Sequence, residues 1–132
     1  MQKMAPRALV VEDDTTTRAM LRALIESMGC VVDEAADGAQ AIERLDETDY
    51  SVVLLDIVLP KVSGTAVMEH LQNTDPEKLE RVIVVTGLNV DDIRKLFPTV
   101  CQALTKPVMP KRLRDSIVKC LSEQIGWQMS QS

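Results

Sequence analysis

One stretch limits what this chain can fold into more than any other: Val52-Val53-Leu54-Leu55, led in by Tyr50-Ser51 and cut off by Asp56. An apolar run without polar alternation reads as a strand covered on both faces, as in the middle of a parallel sheet. A carboxylate cannot sit inside such a sheet without a partner, because burying an unpaired charge costs several kcal/mol or forces protonation. At the carboxyl end of the strand it faces the crevice where open α/β sheets bind ligands. Asp56 is therefore expected to be the reactive group, supplied with a metal and phosphate-binding side chains by the other strands.

The rest of the chain fits around that strand. Apolar runs at Arg7–Val11, Cys30–Ala35, Arg81–Thr86 and, more weakly, Val100–Thr105 read as four further strands. Between them, helical spacing is carried by Leu21, Leu24, Ile25 and Met28, by Ala39, Ile42 and Leu45, and by Val67, Met68 and Leu71. Val90, Ile93, Leu96 and Phe97 mark a short fourth helix, and Leu113, Ile117, Leu121 and Ile125 a fifth with Pro110 in its first turn. Asp14 or Thr15 is placed to cap the first helix and Gly29 to end it. Residues 73–80, around Pro76, are expected to be a polar connector. Strands alternating with helices predict a doubly wound α/β fold with five parallel strands, five helices and right-handed crossovers. A single domain over residues 1–126 is expected, with a fraying polar tail at 127–132.

Composition excludes several classes. A net charge of −5 gives no basic face for direct nucleic-acid binding. No apolar run approaches the roughly 20 residues of a membrane span. The first seven residues are too short and too polar for a signal peptide, so a cytoplasmic protein is expected. Cys30, Cys101 and Cys120 are odd in number and widely spaced among apolar neighbours. Buried thiols are the expectation, in preference to a disulfide framework or a zinc site.

Polar residues fall where strands stop: Glu12-Asp13, Asp56, Thr86 and Lys106. In a parallel sheet these ends share one edge. Carboxylates brought together repel, and one is protonated unless a cation lies between them. A hard divalent ion answers this, and Mg²⁺ suits best because it uses one or two carboxylates, keeps waters and shares the rest with phosphate. A Thr hydroxyl and a Lys ammonium suit phosphoryl oxygens, and the Asp56 carboxylate would be the nucleophile, giving an acyl phosphate. Taken singly these residues are weak signals. Asp14 is better read as a helix cap, His70 as a solvated helix residue, Arg112, Arg114 and Lys119 as a solvated face, and Ile93, Leu96 and Phe97 as core.

In order, Val-Val-Glu-Asp-Asp, Leu-Leu-Asp-Ile-Val-Leu-Pro-Lys-Val-Ser-Gly, Val-Val-Thr-Gly and Thr-Lys-Pro resemble the receiver domain of bacterial two-component response regulators from about Arg7 to Ile125. The resemblance implies a flavodoxin-like fold of strand order 2-1-3-4-5. It also implies phosphorylation by a histidine kinase or a histidine phosphotransfer protein. By position, Asp56 matches the phosphoacceptor, Asp13 a direct Mg²⁺ ligand, Glu12 an acid holding the metal through water, and Val58 the site offering a backbone carbonyl. Thr86 matches the switch hydroxyl and Lys106 the phosphate-binding lysine. Such a module catalyses only its own phosphorylation and dephosphorylation, and docks a downstream protein through its fourth helix, fifth strand and fifth helix. It is expected to be a single-domain regulator or a receiver of a longer protein such as a hybrid kinase.

The chain departs from the family at Ala103, where an aromatic switch residue is usual, so signalling is expected to pass through Thr86 and residues 88–97. Lys61-Val62-Ser63 replaces a more usual Met-Asp sequence, and Pro98-Thr99-Val100 a glycine-containing turn. Val58 and Leu88 put apolar groups where attacking water is oriented, which predicts slow loss of phosphate. Two other readings fit part of the sequence. A phosphorylation-independent pseudo-receiver is suggested by Ala103 and the altered loop, but Glu12, Asp13, Asp56, Thr86 and Lys106 are all intact. An aspartate-nucleophile phosphatase of the haloacid-dehalogenase type needs a second acid two residues after the nucleophile, where Val58 stands.

Overall fold

The computed structural model describes residues 5–126; the expectation for the tail at 127–132 lies outside them. Five strands form one parallel sheet: β1 (Arg7–Val11), β2 (Val31–Ala35), β3 (Val52–Asp56), β4 (Val82–Thr86) and β5 (Gln102–Thr105). The spatial order is β2-β1-β3-β4-β5, the doubly wound arrangement expected. The helices are α1 (Thr15–Ser27), α2 (Gly38–Glu47), α3 (Gly64–Thr74), α4 (Val90–Leu96) and α5 (Pro110–Ile125).

Strand pleating sorts the core into two layers. Val52 and Leu54 of β3 pack with Ile25 of α1 and Leu113, Ile117 and Leu121 of α5. Val53 and Leu55 face the other way, onto Ala41 and Leu45 of α2, Val67 and Leu71 of α3, and Ile93 of α4. Every residue of β3 and β4 is buried, which is why neither strand shows polar alternation. Asp14 accepts from the Thr17 N–H at 2.8 Å and so caps α1. Gly29 follows α1 at φ +93°, a conformation glycine adopts without a Cβ penalty.

Four expectations need correction. Residues 76–81 are a 3-10 helix rather than an open connector: Pro76 pre-sets the first turn and Leu79, only 2% exposed, pins it to the core. Cys101 and Cys120 are joined in a disulfide, so only Cys30 among the described cysteines is a buried thiol. The sheet lays the lead-in to β5 beside α5 with these two Cα atoms 6.2 Å apart, a separation a bridge can span and sequence spacing does not reveal. Leu96 is 61% exposed, while Ile93 and Phe97 are buried as expected. His70 is not merely solvated, since its Nε2 lies 2.8 Å from Asp46 Oδ1 and ties α3 to α2.

Candidate functional site

Strand ends place the site. Asp56 is the last residue of β3, Glu12 and Asp13 follow β1 directly, Thr86 ends β4 and Lys106 follows β5. Asp56 is in register with Val85, so Thr86 stands one residue further along the neighbouring strand. Lys106 is held there by its own N–H, which donates to the Thr86 carbonyl at 2.9 Å. The peptide between Lys106 and Pro107 is cis.

Glu12 and Asp56 are nearly inaccessible, whereas Asp13 is exposed. Oxygens of the three carboxylates lie within 4.8 Å of one another. The Lys106 ammonium donates to Asp56 Oδ2 at 2.8 Å and to Glu12 Oε1 at 3.1 Å. The other Asp56 oxygen accepts from the Val58 N–H at 3.1 Å, and Glu12 Oε2 from the Asp13 N–H at 3.0 Å. Thr86 is wholly buried with its hydroxyl accepting from the Leu88 N–H at 3.1 Å.

The electrostatics follow from this crowding. Burial pushes the Glu12 carboxyl up from its ordinary pKa, the neighbouring Asp56 adds to that, and Lys106 only partly opposes it. Burial alone would lower the Lys106 pKa, but hydrogen bonds and charge from Asp56 and Glu12 outweigh it and raise the value. Three carboxylates against one ammonium leave negative charge to be balanced. Ligands at opposite corners of an octahedron with Mg–O bonds of ~2.1 Å are about 4.2 Å apart. An all-oxygen donor set of this spread therefore fits a small hard cation with small side-chain adjustments and water in the remaining positions.

A recess of about 480 Å³ opens onto the cluster, lined by Glu12, Asp56 and Lys106 and walled by Thr17, Met20 and Leu21 of α1 together with Pro107 and Val108. The sequence reading missed this wall. Its signal was present in the i, i+3, i+4 spacing of Thr17, Met20 and Leu21, one turn after the acidic pair. Val58 and Leu88 are both exposed at the site's rim, 62% and 50% respectively.

Comparison with known proteins agrees with this geometry. The family model described as the response regulator receiver domain matches residues 8–118. The Regulator of RpoS of Escherichia coli K12 is 32% identical over 114 residues, covering 86% of this chain and 34% of that protein. The phosphate regulon transcriptional regulatory protein PhoB of the same organism is 35% identical over 112 residues, covering 83% and 49%. Among solved structures, the signal receiver domain of a putative Luxo repressor protein from Vibrio parahaemolyticus superposes with a TM-score of 0.81 at 25% identity, covering 92% of this chain and 93% of that one. The receiver domain of a sensor histidine kinase from Pseudomonas aeruginosa PAO1, solved with magnesium in its active-site cleft, gives 0.76 at 25% identity, covering 94% and 100%. The chain belongs to the response regulator receiver domain family of two-component systems. It spans less than half the length of these two curated relatives.

Proposed function

We propose that this protein takes a phosphoryl group from a phosphohistidine donor onto Asp56 and changes partner binding as a result. The observation that carries the reading is the meeting of Glu12, Asp13, Asp56 and Lys106, drawn from three strand ends, in one acidic pocket. A carboxylate oxygen of Asp56 attacks phosphorus in line, the P–N bond breaks, and the imidazole departs with the bonding electrons. Phosphoryl transfer of this kind rests on positioning and charge neutralisation. Lys106, already 2.8 Å from Asp56, neutralises one phosphoryl oxygen. The Val58 N–H holds the Asp56 carboxylate in orientation. Asp13, Glu12, Asp56 and the Val58 backbone would hold Mg²⁺, which supplies further charge neutralisation at the phosphoryl oxygens.

The Thr86 hydroxyl, which accepts from the Leu88 N–H, would turn to donate its own proton to a phosphoryl oxygen, so that residues 88–97 report the modification. This route suits a chain whose Ala103 is small and buried. The donor would be a histidine kinase or a histidine phosphotransfer protein. The output partner would meet the face of α4, β5 and α5, where Leu96 and Met109 are 61% and 70% exposed. On this reading the protein turns over no substrate beyond its own phosphorylation and dephosphorylation, and acts in the cytoplasm; no described helix is long and apolar enough to cross a membrane.

The test is incubation with acetyl phosphate, with and without Mg²⁺, followed by intact mass. One phosphoryl group should be gained only with the metal and only when Asp56 is present. Uptake by Asp56→Asn, or none by the wild type, would refute the assignment, and sustained hydrolysis of phosphate esters would favour a phosphatase.

A further inference from the structure

We propose that Asp37 is a positioning residue for the loop that follows the phosphoacceptor, acting through an ion pair with Lys61. Lys61 is the sole non-glycine residue at positive φ among the described residues, at +66°. The Val62 N–H donates to the Pro60 carbonyl at 2.8 Å across it. An i→i+2 hydrogen bond closed around a positive φ is the γ-turn of the rarer and more strained hand. A residue with a Cβ persists there only when its surroundings hold it.

The start of α2 supplies that hold. Asp37 is 5% exposed and its two carboxylate oxygens do different work. Oδ1 accepts from the Gln40 N–H at 2.8 Å and caps α2, while Oδ2 lies 3.5 Å from the Lys61 ammonium. Next to it, a Cβ on Gly38 would fall 1.9 Å from the Val62 carbonyl oxygen, so the α2 backbone abuts the loop with no room for a side chain. The far end of the loop is tied as closely to Asp56. The Gly64 N–H donates to the Ile57 carbonyl at 2.9 Å, and a Cβ on Gly64 would fall 2.3 Å from the Asp56 carbonyl oxygen. A loop pinned at both ends passes a shift at Lys61 to the Val58 N–H, which holds Asp56 Oδ1 at 3.1 Å.

The consequence for phosphorylation rests on the function proposed above, so the experiment includes a readout that does not need it. Asp37→Ser keeps a good capping side chain and removes only the carboxylate that faces Lys61. Lys61→Met removes the charge from the other side, and Lys61→Gly removes the need for a hold, since glycine adopts positive φ freely. Val58 amide hydrogen exchange is measured by NMR without metal, and the rate of phosphoryl uptake from acetyl phosphate with Mg²⁺. Asp37→Ser and Lys61→Met should each speed exchange about twofold to threefold, the scale of an ion pair whose lysine side chain is 71% exposed, and slow uptake by a similar factor, with no further loss when combined. Lys61→Gly in the Asp37→Ser background should restore both. Unchanged Val58 exchange in Asp37→Ser, additive losses in the double variant, or no rescue by Lys61→Gly would overturn the proposal. If the wild type takes up no phosphoryl group, exchange and rescue still decide it.

Discussion

The ammonium of Lys106 lies 2.8 Å from Asp56 Oδ2, and that single cation also serves Glu12 at 3.1 Å. Removing it as Lys106→Met leaves two nearly buried carboxylates facing one another without a counter-charge. Stability measured by urea unfolding in the absence of divalent ions should fall by about 1–2 kcal/mol. That is less than for a fully buried pair, because the Lys106 side chain is 36% exposed and partly screened by water. Adding Mg²⁺ should recover much of the loss, while phosphoryl uptake from acetyl phosphate stays far below wild type. Equal stability of variant and wild type without metal would contradict this account of the pocket.

Cys101, just before β5, and Cys120 of α5 close a loop with a sequence separation of 19. A cross-link of that span stabilises by roughly 3 kcal/mol, chiefly by restricting the unfolded chain. Unfolding without reductant should expose one titratable thiol, that of Cys30, and reduction first should expose three. Cys101→Ser should lower the urea midpoint under non-reducing conditions and leave it near wild type under reducing ones. Three thiols in the unreduced protein would rule out the bridge.

Tyr50 donates to Asp33 Oδ2 at 2.7 Å from a nearly buried site. Burial first, and then Asp33, pushes the phenol up to about 12 from 10.0. Because the folded value is the higher one, its stabilisation is complete below pH 10.0 and disappears as pH rises through about 12. The Tyr50 hydrogen bond, against opposing burial, lowers Asp33 from 3.8; that contribution is present above pH 3.8 and lost as pH falls through the depressed folded value. Tyr50→Phe should cost about 1 kcal/mol at neutral pH and flatten the profile at both extremes. A urea midpoint that follows the wild-type pH profile throughout would oppose it.

Legibility in the sequence divides along physical lines. The strand ends could be read because burial on both faces forces β3 and β4 to be wholly apolar, so a terminal Asp56 or Thr86 stands out. Alternation and handedness make the sheet parallel, which puts Glu12, Asp56 and Lys106 on one edge, while the strand order comes only with the family resemblance. Pairings set only by three-dimensional proximity could not be read. Cys101 and Cys120 meet because α5 packs beside β5, and Asp37 meets Lys61 because glycine lets α2 approach the loop. The 3-10 helix was hidden because a single buried apolar residue, Leu79, carries no periodicity.

Val58 and Leu88 stand exposed at the rim of the pocket, and by the family resemblance these are the positions from which a water attacking phosphorus on Asp56 would be oriented. Neither can accept a proton or orient that water, so hydrolysis of phosphorylated Asp56 should be slow. Placing a polar amide there, as Val58→Asn, adds one orienting hydrogen bond worth about 1 kcal/mol, or roughly fivefold in rate. Both side chains are largely exposed, so the substitution leaves the core untouched and the rate change isolates the chemistry. Phosphate release from protein freed of acetyl phosphate provides the measurement. A wild-type half-life of seconds, or no acceleration by Val58→Asn, would show that the water is oriented by some other group.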